Sequence, residues 1–157
     1  MPIELELVTS PTDDARTLID ALESELSKDY PPDQRHGYSI DRIFQPHILF
    51  FIARLNREPV GCGGVAFEEG LAEVKRMYVR PDKRGHRIAQ TILQRLEIEA
   101  RARGATRLVL ETGDVRHAAI QLYERAGFTR CKPFGPYLTM PPQAIERSVF
   151  MEKPLTP

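Results

Sequence analysis

The chain of 157 residues is 41% hydrophobic and 28% charged, which fits one folded domain over residues 1–157 and excludes a disordered protein. Lysine plus arginine and aspartate plus glutamate number 22 each, so no overall positive charge favours nucleic acid or an anionic membrane as a partner. The two cysteines, Cys62 and Cys131, lack metal-ligand spacing, which argues against a disulfide framework or zinc knuckle, and we expect no metal.

The N-terminal segment predicts a strand followed by a helix. Ile3, Leu5 and Leu7 alternate with glutamates, which is the period of a half-buried strand. Ser10 is expected to cap the helix, with Pro11 at its start. The apolar stripe of that helix is Ala15, Leu18, Ile19, Leu22 and Leu26. The N-terminus lacks the features of a signal peptide and no segment reaches transmembrane length, so we expect a cytoplasmic protein without a membrane partner.

The middle of the chain predicts three antiparallel strands. Residues 29–46 are rich in Pro, Asp, His and Arg and are expected to form a loop with one helical turn. Residues 47–55 and 60–67 are apolar, β-prone runs separated by a short polar turn, which is typical of a hairpin. Residues 71–79 continue this meander as a third strand.

The apolar period changes to that of a helix after Pro81. Ile88, Ile92 and Leu96 share one face of that helix, which is expected to end near Gly104.

The remaining residues predict a further helix and three strands. Residues 107–111, 128–131 and 148–152 are expected to be strands, and residues 118–126 a helix. The complete order predicts an α+β (mixed α/β) fold, with a mixed, largely antiparallel central sheet and helices on both faces.

The segment most informative for function is residues 78–89, where a strand passes through a basic, glycine-containing turn into a helix. Such a turn points free backbone N–H groups at one spot beside the positive end of the helix dipole, and so favours a phosphate group. Gly85 permits the backbone angles that this turn needs. The spacing alone fits an ordinary strand-to-helix loop equally well.

Positive charge is concentrated around the same turn and predicts one local anion-seeking patch. Its cations are Lys75, Arg76, Arg80, Lys83, Arg84 and Arg87, against Asp82 alone.

This turn resembles the coenzyme A motif of the GNAT superfamily of N-acetyltransferases. The family pattern is Arg or Gln, two residues, Gly, any residue, then Gly or Ala. Arg84 and Ala89 match its ends, whereas Arg87 stands where the family usually has Gly. Arg87 still offers an N–H, and its guanidinium can pair with a phosphate.

A second match follows in Ala119-Ile120-Gln121-Leu122-Tyr123-Glu124-Arg125-Ala126-Gly127-Phe128, which resembles the closing helix of the family and its Gly-Phe exit. The resemblance places Tyr123 near the coenzyme A sulfur as general acid. A phenol of pKa about 10 can protonate a thiolate whose acid has a pKa of about 8.5. By helical spacing alone, Tyr123 is more typical of a packing residue. Arg116 stands where family members commonly have Asn.

The resemblance implies a complete set of cofactor-binding residues, with the pantetheine arm of the coenzyme beside one strand in the manner of an added strand. They are Met77, Tyr78, Val79, Arg84, Gly85, His86, Arg87, Ile88, Ala89 and Arg116.

Glu73 is the candidate general base, because an amine must lose a proton before it attacks a thioester. The resemblance places it where several family members keep a carboxylate, and strand alternation predicts that it shares a face with Lys75 and Met77. A solvated or Lys-paired glutamate fits the pattern equally well. Glu111, at the end of the following strand, is the alternative base.

The resemblance implies transfer of an acetyl group from acetyl-CoA to a primary amine of a small molecule by direct attack on the thioester. The partners are then acetyl-CoA and the amine. A non-catalytic module that binds coenzyme A is the alternative, and a domain that binds another diphosphate is a weaker one. An exposed last strand could pair with a second subunit, which would give a homodimer.

Three other features have mainly structural interpretations. The histidines at 36, 47, 86 and 117 lack metal spacing and are expected to be surface or structural residues. Cys62-Gly63-Gly64 indicates close packing or a bulge. The loop of residues 133–142 could wall a substrate pocket or form a rigid surface turn.

Overall fold

A computed structural model describes residues 2–156 of the chain. Its helices are α1 (Asp13–Ser27), α2 (Ile88–Ala102) and α3 (His117–Arg125). Its strands are β1 (Glu4–Val8), β2 (Ile48–Leu55), β3 (Glu58–Glu68), β4 (Leu71–Val79), β5 (Arg107–Gly113), β6 (Thr129–Arg130) and β7 (Ser148–Pro154). This order of elements confirms the one predicted from the sequence. The loop of residues 29–46 contains one short helical turn, Pro32–Gln34, as predicted.

The strands form one sheet in the order β1-β2-β3-β4-β5-β7-β6. Only the β4–β5 pair is parallel among the described strands, which confirms the mixed, largely antiparallel sheet. The β2–β3 hairpin turns at Asn56 and Arg57, whose φ angles are 50° and 70°. Two successive left-handed residues are typical of the tight turn whose twist matches that of the flanking strands.

Helices cover both faces of the sheet, as predicted. On one face, Phe51 of β2 packs in a cluster with Ile92 of α2 and Ile120 of α3. On the other face, Phe50 of β2 packs in a cluster with Leu18 of α1. The two phenylalanines are neighbours in sequence and serve opposite clusters because side chains alternate across a strand.

Helix α1 is capped by Thr12 rather than by Ser10. Thr12 Oγ1 accepts a hydrogen bond of 3.2 Å from Ala15 N, and the backbone of Thr12 is extended. The predicted cap at Ser10 is therefore wrong. Pro11 precedes the cap instead of following it: Thr12 N donates to Ser10 O at 2.8 Å, and the first helical hydrogen bond runs from Arg16 N to Thr12 O at 3.0 Å.

The parallel pair β4–β5 separates along its length. Its register runs only from Leu71 opposite Arg107 to Glu73 opposite Val109 within the described residues. Strand β4 nevertheless continues to Val79. The strands therefore diverge toward their carboxyl ends, and the site described below lies where they part.

Strand β4 carries a bulge at Arg76, which has a φ of 57°. Cys62 faces Tyr78 and Gly64 faces Lys75, so one residue of β3 opposes two residues of β4. Close packing or a bulge was expected around Cys62-Gly63-Gly64, and a bulge lies opposite these residues with its extra residue on β4.

The bulge shifts the alternation of side chains along β4. Lys75 and Arg76 both point to the α1 face, where Lys75 contacts Tyr38 and Arg76 contacts Glu23. Met77 points to the opposite face and joins the cluster of α2. The expectation that Glu73, Lys75 and Met77 share one face is therefore wrong for Met77.

The last strand is not an exposed edge. Strand β7 lies between β5 and β6, although β6 pairs with it only at Glu152 and Met151. The expectation of an exposed last strand is therefore wrong, and the homodimer that this edge suggested stays a prediction without it. None of the helices in residues 2–156 combines the length and apolarity needed to cross a membrane.

Candidate active site

The turn before α2 presents a run of unbonded backbone amides. Within residues 2–156, no acceptor bonds to the N–H groups of residues 85–90, whereas Thr91 N donates to Arg87 O at 3.0 Å. Gly85 and Arg87 have φ angles of 88° and 63°. Alternation of left-handed residues is typical of backbone concavities that bind anions. Arg87 thus adopts a conformation that glycine accepts more easily, at a cost of roughly 1–2 kcal/mol.

A cleft of about 350 Å³ lies between this turn and α3. The predicted site residues that line it are Met77, Tyr78, Val79, Arg84, Gly85, Ala89, Arg116 and Tyr123. His86, Arg87 and Ile88 lie on the turn without lining the cleft. The side chain of Ile88 is buried in the core, so its contribution to the turn is its backbone amide.

A smaller cavity of about 110 Å³, the acceptor cavity, adjoins the cleft where β4 and β5 diverge. The two spaces share the side chains of Met77, Arg116, Ala119 and Tyr123. Both carboxylates considered as bases, Glu73 and Glu111, line the acceptor cavity.

The Tyr123 side chain stands at the junction of the cleft and the acceptor cavity. It is 6% exposed, and no group within residues 2–156 hydrogen-bonds its hydroxyl. Burial raises the pKa of Tyr123 to about 12. The nearby Arg116 acts to lower this pKa, and Glu111 acts to raise it. The phenol therefore keeps its proton at neutral pH and is free to donate it.

Glu73 is held in a buried network. Its Oε2 accepts a hydrogen bond of 2.7 Å from the Tyr137 hydroxyl and lies 3.1 Å from Lys75 Nζ. Lys75 also donates to the Tyr137 hydroxyl at 3.1 Å and to His36 O at 3.3 Å. The Glu73 carboxylate is thus already paired with a cation.

Glu111 has a different environment, without a basic group in salt-bridge contact within the described residues. Its Oε2 accepts a hydrogen bond of 2.6 Å from Ser148 Oγ. Burial raises the pKa of Glu111 and Glu73 adds to the effect, while Ser148, His36 and Lys75 act against it. A carboxylate of raised pKa is a better proton acceptor.

The carboxylate of Glu25 on α1 joins the two walls of the cleft. Its oxygens lie 2.8 Å from Arg84 Nη2 and 2.9 Å from Arg116 Nη1. Arg84 Nε also donates to Val79 O at 2.9 Å. Burial opposes ionisation of Glu25, but the two arginines outweigh it and hold its pKa below the ordinary value. The guanidiniums are therefore fixed beside the cleft.

The predicted single patch of positive charge is wrong, because the fold separates and pairs most of its members. Lys75 pairs with Glu73, Arg76 with Glu23, and Arg84 with Glu25. Arg80 pairs with Glu58 and Asp82. Within residues 2–156, Lys83 and Arg87 form no ion pair and stay available near the turn.

Several residues of the acceptor cavity were not among the predicted site residues: Tyr30, Gln34, Arg35, His36, Arg76 and Tyr137. Four of them come from the loop of residues 29–46, which has no recognisable motif. The aromatic composition of residues 133–142 did indicate a pocket wall, and the buried Tyr137 confirms that interpretation. Among residues 2–156 there is no group of three or more metal-ligating side chains that could hold an ion.

Comparison with known proteins shows which protein family this chain matches. Residues 18–128 match the Acetyltransferase (GNAT) family. An IAA acetyltransferase of Azospirillum brasilense is 43% identical over 93% of this chain and 94% of its own length. The uncharacterized N-acetyltransferase YsnE of Bacillus subtilis is 34% identical over 80% of this chain and 82% of its own length.

Solved structures share the fold over nearly the whole chain. A candidate acyl-CoA N-acyltransferase from Klebsiella pneumoniae has a TM-score of 0.77 at 34% identity, covering 98% of both chains. The PaiA N-acetyltransferase from Thermoplasma acidophilum, solved with coenzyme A, has a TM-score of 0.75 at 19% identity, covering 99% of this chain and 100% of its own.

Proposed function

Since this chain belongs to the GNAT acetyltransferase family, we propose that it transfers the acetyl group of acetyl-CoA to a primary amine of a small molecule by direct attack on the thioester. One observation carries this proposal. The unpartnered Tyr123 hydroxyl stands where a cleft beside free backbone amides meets a cavity that contains two carboxylates.

The donor would occupy the cleft. Its pyrophosphate is assigned to the free amides of residues 85–90, with the unpaired guanidinium of Arg87 as a further contact. Its pantetheine arm would run beside Met77, Tyr78 and Val79, which line the same cleft. Arg84 and Arg116 would border the donor, held in place by Glu25. Two proteins of the same fold were solved with coenzyme A, which supports coenzyme A as the ligand proposed here.

Proton removal from the amine is assigned to Glu111 in preference to Glu73. Glu111 has a raised pKa and a neutral hydrogen-bond partner, Ser148. Glu73 is engaged by both Lys75 and Tyr137. In this proposal Glu73 positions Lys75 and Tyr137 in the cavity wall, and Glu111 takes the proton directly or through water.

The chemical step forms one bond and breaks another. The neutral amine nitrogen attacks the thioester carbonyl carbon and forms the C–N bond, while its proton passes toward Glu111. The C–S bond then breaks, and the departing thiolate takes the proton of Tyr123. The phenolate that remains regains a proton from solvent. Orientation of the two reactants in the adjoining spaces contributes alongside the acid and base.

The proposal is tested by measuring thiol release from acetyl-CoA with a panel of small amines, each product confirmed by mass spectrometry. IAA, the compound in the name of the Azospirillum relative, is tested as a separate acceptor in the same assay. Acetylation of at least one amine supports the transfer. Binding of acetyl-CoA without thiol release across the panel would favour the alternative of a non-catalytic coenzyme A module.

A further inference from the structure

The acceptor cavity contains a pair of arginines whose charge is only half neutralised. Arg35 Nη1 lies 2.8 Å from Glu23 Oε2, and Arg76 Nη2 contacts the other oxygen of the same carboxylate. One carboxylate therefore bridges two guanidiniums and fixes them side by side. Each guanidinium has five N–H donors, so the pair retains both a net positive charge and unused hydrogen-bonding capacity.

Unpaired buried polar atoms are concentrated at this cavity. Within residues 2–156, the buried side-chain nitrogen and oxygen atoms without a hydrogen-bond partner are Arg35 Nε, Arg76 Nε and Gln34 Oε1. All three residues line the acceptor cavity. Buried polar atoms are nearly always paired in folded proteins. Three unpaired atoms in the walls of one cavity therefore point to a polar ligand that completes their surroundings.

Lys75 has Glu73 as a partner of its own, whereas Arg116 shares Glu25 with Arg84, which lies outside this cavity. The Arg35–Arg76 pair is therefore the place where two arginines that share one carboxylate both line the cavity. The side chain of Arg76 is only 2% exposed, so solvent screens its charge poorly. A buried charge without full compensation is unfavourable, and an anionic ligand would relieve it.

The backbone is specialised to place Arg76 in the cavity wall. Arg76 has the left-handed φ of 57° at the β4 bulge, a strained conformation for a residue with a side chain. Its guanidinium lies against Gly37, where an added Cβ would come within 1.6 Å of Arg76 Nη1. The strained backbone of Arg76 and the absence of a side chain at Gly37 therefore both place this guanidinium in the cavity wall.

We propose that the acceptor is a small amino carboxylate, whose carboxylate binds the Arg35–Arg76 pair while its amine faces Glu111 and Tyr123. The inference rests on the proposed acetyl transfer and specifies the acceptor class. All four residues line the same cavity. The cavity volume of about 110 Å³ suits a molecule of the size of a small amino acid.

A matched series of acceptors tests the carboxylate requirement. Alanine, alaninamide and ethylamine share one side chain, and leucine, leucinamide and 3-methylbutylamine form a larger set. Each kcat/KM value from thiol release is divided by the fraction of the amine that is neutral at the assay pH, and the corrected values are compared. We expect the carboxylates to exceed both carboxylate-free compounds by about 10- to 100-fold. Equal or better use of the carboxylate-free amines would overturn the proposal.

Variants test whether the arginine pair causes the preference for acceptors that carry a carboxylate. Arg35→Gln is expected to raise KM for the amino carboxylate by about 10-fold or more and to leave KM for the matching amine unchanged. Glu23→Gln removes the competing carboxylate and is expected to lower KM for the amino carboxylate. Arg16→Gln, at an exposed position of α1, is the control and should leave the ratio of the two KM values unchanged. A ratio unchanged in both Arg35→Gln and Glu23→Gln would contradict the assignment.

Failure of the inference and failure of the proposed function give different results. If amino carboxylates and carboxylate-free amines release thiol equally well, the carboxylate site is refuted and the acetyl transfer is not. If no acceptor releases thiol, acetyl transfer fails, and calorimetric binding of the same acceptors in the presence of coenzyme A still decides the carboxylate preference.

Discussion

Ser148 Oγ donates a hydrogen bond of 2.6 Å to Glu111 Oε2, from strand β7 to the neighbouring strand β5. The hydroxyl orients the carboxylate toward the acceptor cavity without placing a positive charge beside it. This distinguishes Glu111 from Glu73, whose carboxylate lies 3.1 Å from Lys75 Nζ. The two carboxylates of one cavity therefore have different electrostatic surroundings, and mutation should separate their roles.

Glu111→Gln should reduce kcat by about 100-fold or more, because the amine loses its proton acceptor. In the wild type, kcat should fall as pH drops through the raised pKa of Glu111, since the protonated carboxyl cannot act as base. That acidic limb should vanish from the pH–rate profile of Glu111→Gln and persist in Glu73→Gln. The reverse pattern would return the role of base to Glu73.

The same substitution should affect stability in a pH-dependent manner. Because burial raises the folded-state pKa of Glu111, the native protein binds its proton more tightly than the unfolded chain. The corresponding stability is present below the ordinary carboxyl pKa and is lost as pH rises through the raised value. Relative to wild type, Glu111→Gln should therefore gain stability between acidic and neutral pH. Denaturant unfolding at several pH values measures this, and a constant difference would contradict it.

Tyr123→Phe should lower kcat by about 100-fold and leave KM for acetyl-CoA nearly unchanged, because the hydroxyl acts on the departing thiolate. With burial raising its pKa to about 12, ionisation of Tyr123 should cause no loss of activity near neutral pH. An acetyl donor with a more acidic thiol should partly rescue the variant, since its thiolate needs no proton to leave. A kcat equal to wild type, with chemistry rate-limiting, would remove Tyr123 from the mechanism.

Arg87→Gly and Arg87→Ala separate the backbone and the guanidinium of this residue. Both remove the charge, so both should raise KM for acetyl-CoA by a few-fold if the guanidinium contacts phosphate. Only glycine relieves the left-handed φ of 63°, and Arg87→Gly should be more stable than Arg87→Ala by about 1 kcal/mol. Equal stability of the two variants in urea unfolding would argue against a strained position.

Glu25→Gln should release Arg84 and Arg116 from their shared partner. Because these arginines hold the pKa of Glu25 below its ordinary value, the carboxylate contributes stability above the ordinary carboxyl pKa and loses it as pH falls through the lowered one. We expect the variant to lose about 1 kcal/mol at neutral pH, a difference that shrinks on acidification. Thermal unfolding at neutral and acidic pH checks this, and an equal loss at both would contradict it.

The elements of the fold were largely predictable because local patterns specify them. The apolar stripe of α1 and the meander of β2, β3 and β4 follow from helical and strand periods that tertiary packing reinforces. The helix cap was misplaced by two positions, since Ser10 and Thr12 have similar capping chemistry and the local sequence does not decide between them.

Cys62-Gly63-Gly64 indicated close packing or a bulge on β3, but the extra residue lies on the facing strand β4, which the alternation of side chains did not indicate. Arginine rarely adopts a positive φ, so nothing in the sequence around Arg76 indicates the left-handed turn found there. That single residue turns Met77 to the opposite face and brings Lys75 and Arg76 to the same one. Motif residues such as Tyr123 were found from the family resemblance, whereas Arg35 reaches the site through long-range packing that leaves no local signal.

The free amides of residues 85–90 are proposed to bind the diphosphate of the donor, and amide-resolved NMR measures this binding at each residue. Titration of the ¹⁵N-labelled protein with coenzyme A should shift these amide resonances strongly, and titration with inorganic pyrophosphate should shift the same set. Coenzyme A binding that leaves the amides of residues 85–90 unperturbed, while resonances elsewhere move, would contradict the account.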